Sequence, residues 1–253
     1  MATHPRTSTK LGLALSGGST LGLAHIGVLK AFVEEGIPID CLSGTSAGSL
    51  AAGCFAFGMS PREIAEATTD LDWKKLSRFG YSTLGFYSNK PTETVVMNLL
   101  GDVHIEDALI PLAIIATDIK KHEKVVIQKG RLAEAVRAST CIPGYFTPVS
   151  SGGRLLVDGS LTENLPLSPL KALGATVVIG VNLAAKPPST PPHSMLGIIT
   201  ASFETLSQHY TQYPIAVSYT HLRAHETKAK LVCRLLLEKK KAAAVEERGP
   251  PIQ

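Results

Sequence analysis

Residues 37–50, IPIDCLSGTSAGSL, decide how the chain must fold. An apolar stretch, Ile37–Leu42, runs into Gly44-Thr45-Ser46-Ala47-Gly48-Ser49, and a small-residue helix is expected from Ser49 to Gly58. The run reads G-x-S-x-G, the turn that lifts a serine hydroxyl off the end of a strand and onto the start of a helix. Small residues are needed there because strand and helix pass close to one another and the backbone is strained. Ser46 is therefore the first candidate site residue, as a nucleophile.

Working outward, the preceding segment is built the same way. Leu11–Ser16 is a short apolar run that ends in Gly17-Gly18, as a buried parallel strand entering a glycine turn would. Leu21–Glu35 then carries apolar residues at helical spacing and stops at Gly36. Strand, helix, strand, helix predicts a parallel sheet covered on both faces. Downstream, Ser60 and Pro61 should open a helix from Arg62 to Leu71. Strands are expected over Ile110–Thr117, Val125–Gln128, Leu155–Val157 and Thr176–Val181, and helices over Leu132–Ala138, Pro166–Leu173 and Met195–Tyr210. Residues 73–90 are irregular and aromatic (Trp73, Phe79, Tyr81, Phe86, Tyr87), and Ala184–His193 is a proline-rich loop. No internal repeat interrupts this order.

With 253 residues, 44% hydrophobic and 18% charged, the chain has the composition of an ordinary globular protein with a well-filled core. No apolar run approaches the roughly twenty residues that span a bilayer. The polar start, MATHPRTSTK, carries no secretory pattern. Of the four cysteines, three sit in apolar segments without metal-like spacing, as buried reduced thiols do. These features together predict a cytoplasmic location. The net charge of +4 resides in residues 217–253, where eight Lys/Arg face four Asp/Glu, leaving 17 of each sign in the body. A neutral body argues against nucleic acid as a partner. The same stretch resembles translated sequencing-adapter readthrough, so residues 10–216 are expected to be one domain, cut short at its C-terminal end, and 217–253 a non-native tail.

An active serine needs a group to take its proton and donors to hold the oxyanion. The glycine turn Ser16-Gly17-Gly18-Ser19-Thr20-Leu21-Gly22 can supply the donors, since its small side chains let backbone N–H groups converge at a helix N-terminus. The same turn could cradle a dinucleotide, but that fingerprint wants a glycine where Ser19 stands, and Asp40 sits too early to be its acidic partner. For the base, His104, His122, His193 and His209 read as surface residues, and His25 as a packed or capping residue. Asp158 stands where Leu155-Leu156-Val157 meets Gly159, at a strand end from which a carboxylate can reach a neighbouring strand. An Asp-Gly pair can equally be only a turn. Asp118 reads as a structural hydrogen-bonding residue in preference to a second catalytic carboxylate, and Arg137 as the partner of a buried carboxylate in preference to a contact for substrate phosphate.

Four separated blocks now combine. They are Gly17 to Gly22 with Leu23-Ala24-His25-Ile26-Gly27; Gly44 to Gly48; Arg137-Ala138-Ser139 through Pro143 to Pro148; and Asp158-Gly159-Ser160 with Glu163-Asn164-Leu165-Pro166. In these blocks and their order the chain resembles the bacterial patatin-like phospholipases over nearly all of residues 10–183. The resemblance implies a three-layer α/β/α sandwich with a mainly parallel central sheet. It implies a Ser46–Asp158 dyad without histidine, an oxyanion hole from Gly17, Gly18 and Ser19, no metal and no cofactor. The implied substrates are lipid acyl esters, with transient contact at a membrane surface. A hydrolase of small esters or thioesters, and a non-catalytic acyl-binding protein of the same fold, remain alternatives. The chain departs from the family's usual pattern at Ser19 (glycine), Leu21 (a basic residue) and Ser160 (glycine or alanine), which bears on head-group choice more than on reaction type.

Overall fold

The computed structural model describes residues 9–18, 22–69, 71, 73–80, 82–183, 192–211 and 220–223. Its elements are β1 (Leu11–Leu15), α1 (Leu23–Glu34), β2 (Cys41–Thr45), α2 (Ala47–Ala56), α3 (Pro61–Thr68), α4 (Trp73–Leu76), β3 (Arg78–Phe79), β4 (Gly85–Ser88) and α5 (Lys90–Leu100). They continue with β5 (Leu112–Asp118), β6 (Glu123–Ile127), α6 (Leu132–Ser139), β7 (Gly144–Phe146), β8 (Val149–Ser151), β9 (Arg154–Asp158), α7 (Ser160–Glu163), α8 (Ser168–Ala172), β10 (Val177–Asn182), α9 (Met195–Thr211) and β11 (Thr220–Arg223).

Strands β11, β10, β1, β2 and β5 lie side by side and parallel, and β6, β8 and β9 add antiparallel pairings at the β5 end. Alternation along β1 sends Leu13 and Leu15 to one face and Ala14 to the other. On the first face they meet Leu29 and Phe32 of α1, Ala52 of α2 and Leu132 of α6. On the second, Ala14, Cys41 and Val178 are covered by Leu170 of α8 and by Leu165 and Leu167. Helices thus cover both faces, giving the three layers that the sequence predicts. Strands β3, β4 and β7 form a separate small sheet.

Several boundaries differ from expectation, each for a local reason. The second strand begins at Cys41, not Ile37, and includes Gly44 and Thr45. Pro38 has no N–H for a ladder, and Asp40 closes the lead-in by accepting from Leu11 N–H at 2.6 Å. Helix α5 has no counterpart in the sequence reading. Its signals are a proline in the first turn and Gly101 beyond its end at φ +78, but only Thr92 and Val96 are buried along it, too few for an apolar stripe. Helix α3 has the Ser60 cap expected, reinforced by Glu63 in a reciprocal capping box. Of residues 217–253, only Thr220–Arg223 are described, as an edge strand on β10; the remainder lies outside the described residues, as does most of the proline-rich loop. Among the described residues no helix is long and apolar enough to cross a membrane.

Candidate active site

Strand β2 delivers Ser46 from between β1 and β5. Ser46 has φ +50 and ψ −123, a conformation costing on the order of 1–3 kcal/mol that persists only when its surroundings impose it. They do so here. Ser46 N–H donates to Ser139 Oγ at 2.8 Å, and Ser46 C=O accepts from Ser49 N–H at 2.8 Å and Ser49 Oγ at 2.6 Å. A side chain at Gly44 would lie 2.5 Å from Gly48 O, and one at Gly48 would run into Leu15 O, so only glycine lets α2 start this close to the strand ends. The hydroxyl thereby sits at the positive end of a ten-residue helix.

Register brings the carboxylate to it. Strand β5 pairs with β2 up to Thr45 opposite Ile115, while β6 takes the other edge of β5 at the same residues. Antiparallel β9 therefore occupies the β2 edge of β5, starting one residue later with Asp158 opposite Ala116. Thr45 and Asp158 thus face consecutive residues of one strand, roughly 3.3 Å apart along it. Asp158 is locked there by its N–H to Cys141 O at 2.8 Å and by Thr117 Oγ1 donating to its C=O at 3.0 Å. Ser46 Oγ donates to Asp158 Oδ2 at 2.8 Å, and Ser160 N–H donates to Oδ1 at 2.9 Å. Asp158 is 0% exposed and Ser46 partly exposed, so the carboxylate lies sealed behind the hydroxyl. Burial pushes its carboxyl up to about 6, against the opposing hydrogen bonds from Ser160 and Ser46.

The glycine turn needs a correction. Gly17 N–H is already donated to Asn164 O at 3.1 Å, so it is not free to receive an oxyanion. Gly17 matters instead for what it lacks: a Cβ there would lie 2.6 Å from Asn164 Oδ1 and Ser160 Oγ and 3.2 Å from Ser46 Cβ. Gly18 lines the cavity beside Ser46, and its N–H has no protein partner among the described residues. Ser19 and Leu21 lie outside the described residues. Ser16 Oγ accepts from Leu183 N–H at 2.9 Å, and His25 Nε2 contacts Ser16 O at 2.7 Å. Burial lowers the His25 imidazole to about 4, so near neutral pH it is uncharged and its Nε2–H is the donor to Ser16. His25 fixes the turn.

Ser46, Asp158, Gly17 and Gly18 share one cavity of about 480 Å³, within the usual range for small-molecule sites. Its outer wall is mainly apolar and includes Leu23, Ile26, Ile64, Leu76, Ile142 and Phe203. His104, His122 and His193 are exposed and line none of it. Arg137 pairs with Glu93 at 2.7 Å, and Asp118 accepts from Lys120 N–H at 3.0 Å, both structural roles. Sequence reasoning did not single out Ser139 or Thr117 for their contacts. Ser139 lies in one of the four blocks, but no sequence signal ties it to Ser46 N–H.

Residues 13–171 match the model of the family described as patatin-like phospholipase. An uncharacterized NTE family protein of Mycobacterium bovis is 34% identical over 180 residues, covering 70% of this chain and 50% of that protein. The lysophospholipase NTE1 of Cryptococcus neoformans is 32% identical over 188 residues, covering 72% of this chain and 12% of its own length. Among solved structures, VipD from Legionella pneumophila superposes with a TM-score of 0.52 at 18% identity, over 68% of this chain and 50% of that one. The chain spans half or less of the length of these curated relatives.

Proposed function

The chain belongs to the patatin-like phospholipase family, and from that premise we propose that it hydrolyses acyl ester bonds of lipids with Ser46 as nucleophile and Asp158 as its base. The observation that carries the reading is the 2.8 Å bond from Ser46 Oγ to a fully buried carboxylate at the floor of an apolar cavity. As Ser46 Oγ attacks the ester carbonyl carbon, its proton passes to Asp158 Oδ2. The carbonyl oxygen gains the negative charge, which in this reading is stabilised by the N–H of Gly18 and the N-terminus of α2, with Ser19 as the further donor expected from sequence. The ester C–O bond then breaks, and the leaving alcohol takes the proton from Asp158. Water attacks the acyl-enzyme, returning its proton through Asp158 to Ser46 Oγ as the fatty acid leaves. One carboxylate serves both halves of the cycle, so no histidine is required.

The apolar wall receives the acyl chain. Phe79, Leu84 and Phe86 of the small sheet segment and Met195 and Ile198 of α9 are exposed, and in this reading such apolar side chains make the contact with a lipid surface. Hydrolysis of a medium-chain nitrophenyl ester by the wild type, Ser46→Ala and Asp158→Asn tests the reading. Each variant should lose on the order of 10³-fold in kcat/KM. Equal rates in all three would end it.

A further inference from the structure

One acidic side chain in the cavity has no part in this chemistry. Glu204 lies on α9, which packs on α7, the helix following Asp158, and on β7. Its neighbours Phe203 and Ser207 line the same cavity. Glu204 is partly buried, and no described residue gives it an ion pair or hydrogen bond. Burial raises its carboxyl above the usual range. A carboxylate half-withdrawn from water, with no partner among the described residues, is costly, and a cation brought by a ligand relieves that cost.

The rest of the lining sharpens the point. Among its described residues the only charged side chains are Asp158 and Glu204, and none is Lys, Arg or His. Anionic phosphate sites are built from basic side chains or convergent backbone N–H groups. This cavity presents two carboxylates instead, and a net-anionic head group would be repelled by both. A head group with a cationic nitrogen would pair with Glu204 while its acyl chain lies along Ile26, Ile64 and Leu76.

Resting on the acyl-hydrolase reading above, we propose that Glu204 is a specificity-determining residue that selects lipid esters whose alcohol portion carries a cationic amine over those with a net-anionic head group. The site discriminates by the charge that Glu204 presents in the cavity lining.

The experiment uses the full chain and three substrates with the same acyl group: monoacyl-glycerophosphocholine (zwitterionic), monoacyl-glycerophosphoglycerol (anionic) and monoacylglycerol (uncharged). The wild type should favour the choline substrate over the anionic one by at least about fivefold in kcat/KM, the worth of a partly exposed ion pair. Glu204→Gln should bring that ratio to near unity, and Glu204→Lys should invert it. Turnover of the uncharged substrate should stay within about twofold in both variants, which also reports that they fold. Wild-type enzyme that cleaves the uncharged substrate but shows no preference between the other two overturns this proposal and leaves the hydrolase reading standing. A ratio unchanged in both variants does the same. Failure to cleave any of the three overturns both.

Discussion

On the floor of the cavity, Ser46, Asp158 and Gly17 are held by backbone hydrogen bonds and by glycines that no other residue could replace. On its outer wall, Ile64, Leu76 and Phe203 come from three separate helices and are held by side-chain packing. The difference follows from what each part must do. A nucleophile and base lose most of their effect when displaced by about 1 Å, whereas an acyl chain tolerates any apolar surface of adequate volume. Substitutions on the floor should therefore cost rate, and substitutions on the wall should cost binding.

The largest effect after loss of the dyad itself is expected at Gly17. In Gly17→Ala the new Cβ would need room now filled by Asn164 and Ser160, so Ser46 or the turn must shift, with a loss of roughly 100-fold in kcat. An unchanged kcat would show that the floor is as forgiving as the wall. Next comes pH. Asp158 must be ionised to accept a proton, so log(kcat/KM) should fall with unit slope as pH drops through about 6, the value to which burial raises it. Stability should move the other way. A carboxyl raised from 3.8 to about 6 stabilises the fold most below 3.8, and that contribution is lost as pH rises through about 6. Chemical denaturation of Asp158→Asn should accordingly show its stability relative to the wild type improving as pH rises through about 6. A profile flat to pH 4 would put the base elsewhere.

Ser139→Ala leaves Ser46 N–H without its acceptor at the strained residue, so kcat should drop about tenfold while KM holds. A change in KM alone would place Ser139 in the wall, not the floor. The smallest effect is expected at Phe203. Phe203→Ala should raise KM for a long-chain ester by a few-fold and leave a short-chain ester unaffected, as measured by parallel titrations.

The same contrast governs what the sequence discloses. Gly44, Gly48 and Ser46 are legible because close approach and positive φ restrict which residues can stand there. The layer order is legible because apolar runs that end in glycine turns, Leu11–Ser16 and Ile37–Leu42, alternate with segments of helical character, Leu21–Glu35 and Ser49–Gly58. The meeting of Thr45 and Asp158 depends instead on β2 and β9 both ending opposite successive residues of β5, a register that no local pattern encodes. Gly17 was legible as important but not for the right reason, since its N–H goes to Asn164 and its missing side chain is what counts. Helix α5 escaped because so few of its residues are buried. Glu204 escaped because nothing in the spacing of α9 distinguishes a carboxylate beside a cavity from one in water.

The most direct test of the central claim is peptide mapping after reaction with a fluorophosphonate, applied to the wild type and Asp158→Asn. The expected result is one phosphonylated residue, Ser46, in the wild type and labelling slowed by orders of magnitude in the variant. An adduct on another serine, or equal labelling of Ser46 in both proteins, would contradict the account.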